Sequence, residues 1–231
     1  MKGKTAVLRG TLLALTLLVA WGQASAMSTS STNLVDLLRE STAIVHAKVA
    51  DVTQGRDNNG LPYTEVTIEI SRTLRGSLPA TYTFRQFGVQ SDGIAESGRV
   101  PIGGTMNFPR FVVGEDTLLF LYRSASATGF RTTTGLGHGK FELTAGRAEN
   151  PLGNVGMFSD ISIAPGFTIT ENDQRILATP GAVNQNDLLS LVDRAVSGRW
   201  IEKGSMYKTS EGAPKFPNGG NGGGRKVEIP Q

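Results

Sequence analysis

The chain has 231 residues, of which 23 are Lys or Arg and 20 are Asp or Glu, giving a formal net charge of +3. It has no cysteine, which excludes a disulfide framework, a cysteine zinc site, a thiol nucleophile and a lipid anchor on cysteine. The basic residues are scattered and no nucleic-acid-binding motif occurs, so nucleic acid is not an expected partner.

Residues 1–26 read as an export signal peptide. Lys2, Lys4 and Arg9 form a basic head, Leu12 to Trp21 an apolar stretch, and Ala24-Ser25-Ala26 a small-residue cleavage site. The apolar stretch is too short to span a bilayer comfortably. No second long apolar run follows, so the mature chain from Met27 is expected to be secreted or periplasmic, without a membrane anchor. Losing residues 1–26 takes the 23 basic residues down to 20, equal to the acidic count, so the exported part is neutral. The basic excess therefore says nothing about an acidic partner. A chain of about 200 residues buries roughly 70% of its unfolded surface, enough for one self-sufficient core.

Asn33 is placed to cap a short helix whose apolar stripe is Leu34, Val35, Leu37 and Leu38. From Ala43 the period becomes two, with Val45, Ala47 and Val49 on one face of a strand over 43–54. Residues 55–60 form a turn. The second strand, Thr64 to Ile70, sets Val66, Ile68 and Ile70 inward and Glu65, Thr67 and Glu69 outward. A third strand runs through Tyr82, Phe84 and Phe87. Residues 88–109 form a loop long enough to be either functional or disordered. Thr117 to Tyr122 is a continuous apolar run, as in a strand covered on both faces. Two short strands, Phe130–Thr134 and Lys140–Thr144, flank Gly135-Leu136-Gly137-His138-Gly139, and further strands are expected near Gly156–Ser162 and Phe167–Thr170. A second helix is expected over Asn186–Ser197, stopped by Gly198. The reading is one mainly β domain over 33–201, an antiparallel barrel or sandwich with an N-terminal and a C-terminal helix. Residues 202–231 are expected to form a disordered, glycine-rich tail.

The succession of these pieces resembles a set of uncharacterised bacterial exported β-rich proteins. The resemblance lies in Ser41 to Val49, Tyr63 to Ile70, Leu74-Arg75-Gly76, Phe108 to Glu115, Leu118 to Leu121 and Gly135 to Phe141. It covers roughly residues 33–155 and implies architecture without a mechanism. The pattern is also loosely similar to OB-type barrels, the fold of netrin-like domains and of tissue inhibitors of metalloproteinases. Those inhibitors use an N-terminal cysteine, which this chain lacks, so that mechanism does not transfer.

Candidate chemistry is sparse. His46 and His138 would suit a metal or a proton relay if they met, but they lie in separate elements without ligand spacing. The run from Gly135 to Lys140 looks like a phosphate loop, yet Phe141 follows Lys140 where a Walker motif has Ser or Thr, so a tight hairpin is the expected role. No G-x-S-x-G element occurs, and Ser91, Asp92 and Ser97 read as turn residues. Glu65, Glu69, Glu115 and Asp116 read as a solvated face, although carboxylate pairs form in space rather than in sequence. In loop 88–109, Ile94, Val100, Ile102, Met106 and Phe108 offer apolar contacts, either to a ligand or partner or to the end of the core.

The leading expectation is an exported binding or accessory module without catalytic machinery, needing no cofactor and acting on an exported protein or cell-surface ligand. The alternatives are a partner or inhibitor of an exported protease, and a small metal-dependent hydrolase using His46 or His138.

Overall fold

Asn33 opens the first helix as its spacing predicts. In the computed structural model, which describes residues 32–90 and 108–214, the Asn33 side chain accepts the Val35 and Asp36 N–H groups. Asp36 returns a bond to the Asn33 N–H at 3.1 Å, completing a reciprocal cap on α1 (Leu34–Glu40). Ser41 ends the helix by donating its hydroxyl to the Leu37 carbonyl at 2.6 Å. The signal peptide read at 1–26 and most of the tail lie outside the described residues.

Two long strands, β1 (Ala43–Arg56) and β2 (Pro62–Arg75), form the hairpin expected from their alternation. Its turn is held by the Asp57 carboxylate, which accepts from Asn59 and Leu61, and by Gly60 at φ 78°. The chain continues through β3 (Thr81–Phe87), β4 (Asp116–Leu121), β5 (Lys140–Thr144), β6 (Arg147–Glu149), β7 (Ile161–Ile163), α2 (Glu171–Ala178), β8 (Val183–Asn184), α3 (Gln185–Ser197) and β9 (Met206–Lys208). One sheet has the order β3-β2-β1-β4-β5-β6-β8, antiparallel at every pairing, and β7 pairs with β9 in a second, two-stranded sheet.

β4 shows why its run is apolar throughout. Leu118 and Phe120 join Ile44 and Phe141 in a core covered by α1 and α3. Leu119 and Leu121 point the other way, into a second core with Val45, Ala47, Val49, Val66, Ile68, Phe84 and Phe111. Register shifts at Ile44/Val45, His46/Ala47 and Val49/Asp51 bend β1 and let the hairpin curl around that second core. Among the described residues the sheet does not close on itself. At its free edge β3 receives a backbone bond from Arg131 N–H to the Arg85 carbonyl (2.7 Å), and β3 and β8 remain separate ends of the sheet. Of the two architectures expected, the fold is therefore the sandwich and not the barrel.

Several local expectations need correction. Phe130–Thr134 forms only one bridge, Thr133 to Leu121, because the chain turns at Gly135 into a 3-10 turn over Leu136–Gly139. Phe167–Thr170 is no strand: Thr170 caps α2, a helix the sequence reading missed. Between β6 and β7 the chain makes successive turns tied by Asn150 and Asn154, whose side chains accept each other's backbone N–H groups at 2.8 and 2.9 Å. Folded structure also runs past residue 201. Met206 is fully buried, and Lys208 donates to Asp36 of α1 at 2.7 Å.

Candidate functional site

The corner before β4 is rigid. The Gly114 N–H donates to the Val49 carbonyl and the Val49 N–H to the Glu115 carbonyl, both at 2.8 Å, which fastens the corner to β1. Glu115 donates its N–H to the Val112 carbonyl and takes the Val112 N–H on its carboxylate. Gly114 adopts φ 89°, a conformation that favours glycine. The result holds two neighbouring valines out in solvent, Val112 at 65% and Val113 at 58% exposure.

Behind the corner lies a charge cluster in which Lys140 and Glu115 are buried and Glu142 is half exposed. The β4–β5 register sets Lys140 beside Leu119 and Glu142 beside Thr117, so both side chains face the second core. Lys140 is 1% exposed. Its ammonium donates to Glu115 and to Glu142 (3.1 Å), and lies 5.4 Å from the Phe111 ring centroid. Burial pushes the Glu115 carboxyl above its ordinary value, with Lys140 pulling back. Burial also works to raise Glu142, but the Glu115 hydrogen bond and Lys140 outweigh it and hold Glu142 low. Two carboxyls on one ammonium are thus driven apart, a pattern that often marks functional sites.

A hollow of about 610 Å³ opens over this cluster. Val52, Phe111, Val112 and Val113 form its apolar wall, and Gln54, Gln90, Arg110 and Glu142 its polar wall. The Gln90 side-chain oxygen accepts the Phe111 N–H at 2.8 Å, which fixes the amide's orientation. Its side-chain nitrogen is then buried without an acceptor. Gln86, 2% exposed, donates to the Pro109 carbonyl at 2.9 Å and so supports the same segment.

The residues singled out from sequence fall elsewhere. Ile94, Val100, Ile102 and Met106 lie outside the described residues, as do Ser91, Asp92 and Ser97. Phe108 packs on Phe87 with ring centroids 6.5 Å apart. His46 on β1 bonds Asp116 on β4 at 2.9 Å, and its neighbour across the hairpin is Arg72, paired with Asp193 of α3 at 2.7 Å. His138 sits in the turn before β5 with Nδ1 buried and unpartnered, and burial holds it below the ordinary histidine value. Among the described residues no group of three or more His, Asp or Glu gathers to hold a metal.

The glycine run before Lys140 is a packing device rather than a phosphate cradle. A Cβ on Gly139 would stand 2.2 Å from the Thr134 carbonyl oxygen. Glu65, read as solvated, pairs with Arg85 at 2.6 Å. Of the carboxylates weighed from sequence, Glu115 alone enters the cluster. Its partners Lys140 and Glu142 were missed because strand pairing, not spacing, brings them together. No family model, curated protein or solved structure matches the chain.

Proposed function

We propose that the chain is exported, and that its folded domain is a binding or accessory module whose ligand seat is the corner hollow at residues 110–113. The observation that carries this reading is the pair Val112 and Val113, held in solvent by a hydrogen-bonded turn beside the hollow. Exposing neighbouring apolar side chains on a rigid turn brings the fold no packing, and such patches commonly serve contact. The polar wall and the charge cluster beneath it add the few directed groups that orient a ligand.

The test is a titration of the full chain with a broad panel of peptides, sugars and metabolites, followed by backbone-amide NMR. Shifts should cluster at Phe111, Val112, Val113 and Gln90. A panel member that binds and shifts only distant segments, such as the hollows beside Phe130 or Phe158, would move the seat elsewhere.

A further inference from the structure

We infer that Glu115 is a proton-operated latch on the Val112–Val113 corner: ionised, it grips the Val112 N–H and the Lys140 ammonium, and protonated, it yields Lys140 to Glu142 and slackens the turn. The latch belongs to the turn itself and stands whether or not the corner seats a ligand. The acceptors are arranged for it. One Glu115 carboxylate oxygen takes the Lys140 ammonium and the other takes the Val112 N–H at 3.2 Å, so a single side chain joins the core to the corner. A hydrogen bond to an ionised group is about twice as strong as a neutral one, so a proton on this carboxyl weakens both grips together. The bonds that tie Gly114 and Glu115 to Val49 run backbone to backbone and carry no titrating atom. The turn therefore loosens at its Val112 end and stays fastened to β1.

The charges are arranged for it as well. Lys140 brings one ammonium to two carboxyls, Glu115 with its side chain 10% exposed and Glu142 with 51%. Like charges crowded on one cation repel, and the drier carboxyl takes the proton first because desolvation disfavours its charged form. Lys140 then keeps its ion pair with Glu142 at 3.1 Å, so the buried ammonium retains a counterion in both states. Burial is the largest influence on Glu115 and lifts it above its ordinary 4.5, the hydrogen bond with Glu142 adds to the rise, and Glu142 itself is held low. The other charges around the cluster lie apart from this exchange. Arg110 lines the hollow and has an interaction of its own. On β1, His46 bonds Asp116 and Lys48 stands opposite Asp116 in the register. On β6, Glu149 stands opposite Glu142 and is exposed.

The test is a pH titration of the full chain, read by the carboxyl carbon shifts of Glu115 and Glu142 and by backbone-amide shifts and hydrogen exchange. Glu115 should titrate above 4.5 and Glu142 below it. The Val112 amide should follow the Glu115 midpoint. Its protection, corrected for the intrinsic pH dependence of exchange, should fall about fivefold on the acid side, while the amides of Ile68 and Val155 hold constant. Glu142→Gln removes the second carboxylate and should lower the Glu115 midpoint. Glu115→Gln should leave the Val112 amide without a response in that window. A Val112 amide that ignores the Glu115 titration, or that still responds in Glu115→Gln, overturns the latch. So does a Glu115 midpoint at or below 4.5, or one that Glu142→Gln leaves unmoved. Loss of the Ile68 amide before Glu115 titrates overturns it too, because the change is then global rather than local to the corner.

Discussion

Replacing Lys140 by methionine keeps an unbranched aliphatic side chain and removes the ammonium. The Glu115 carboxylate, its side chain only 10% exposed, is then left without its cation. Breaking a buried pair in this way is expensive, but the loss has a ceiling because the carboxyl can take up a proton. The ordinary value for this group is 4.5. Protonating it at pH 7 costs about 3 kcal/mol, at about 1.4 kcal/mol per pH unit, and at pH 5 under about 1 kcal/mol. Loss of the ammonium's contact with the Phe111 ring adds about 1 kcal/mol that does not vary with pH. Lys140→Met should therefore lower stability by about 4 kcal/mol at pH 7 and by about 1–2 kcal/mol at pH 5, against wild type at each pH. Glu142, half exposed, stays hydrated and adds little. Urea unfolding at the two pH values measures both figures. Adding Glu115→Gln to Lys140→Met should recover most of the loss at pH 7 and little at pH 5. Equal losses at both pH values, or a loss under about 1 kcal/mol at pH 7, would refute a buried Glu115 carboxyl that depends on Lys140 as its partner.

Two further predictions concern the frame around the site. Burial holds His138 below its ordinary value of 6.5, so the unfolded chain binds more protons below that pH. The stability His138 contributes is present above pH 6.5 and is lost as pH falls through the window beneath it. The difference between wild type and His138→Asn should shrink as pH drops below 6.5 in denaturant titrations, and a flat difference would contradict the burial. Truncation after Gly204 removes Met206, fully buried, and Lys208, the partner of Asp36. It should cost about 3 kcal/mol or more, visible as a lower thermal midpoint, whereas an unchanged midpoint would return the domain end to 201.

The elements legible in the sequence are those long enough to show a period. Val66, Ile68 and Ile70 alternate over enough residues to declare β2, and the unbroken run of β4 requires cover on both faces, which the two cores supply. β6, β8 and β9 have three, two and three residues, too few for any alternation to stand out. α2 carried a readable cap, Thr170 with Asp173, but buries only Ile176 and Asp173, so its apolar stripe is nearly blank. Asp173, fully buried, is matched by Arg194 from α3, a pairing no local pattern announces. The candidate site was the least legible part. Lys140 and Glu142 alternate with Phe141 and Leu143 as a solvent-facing pair would, yet Lys140 is buried beside Leu119 and Phe111 while Glu142 stays half exposed. His46 and His138 drew notice because histidine is rare here, yet rarity says nothing about position.

On the function proposed above, the 110–113 corner is where this molecule meets its ligand. A photoreactive residue at Val113, compared with the same residue at Val155, tests it directly in cells of the source organism. Both side chains are exposed, at 58% and 73%, so exposure alone favours the control. A discrete crosslinked species at position 113, absent at 155, is the predicted result. Equal crosslinking at the two positions, or a discrete adduct at 155 alone, would contradict it.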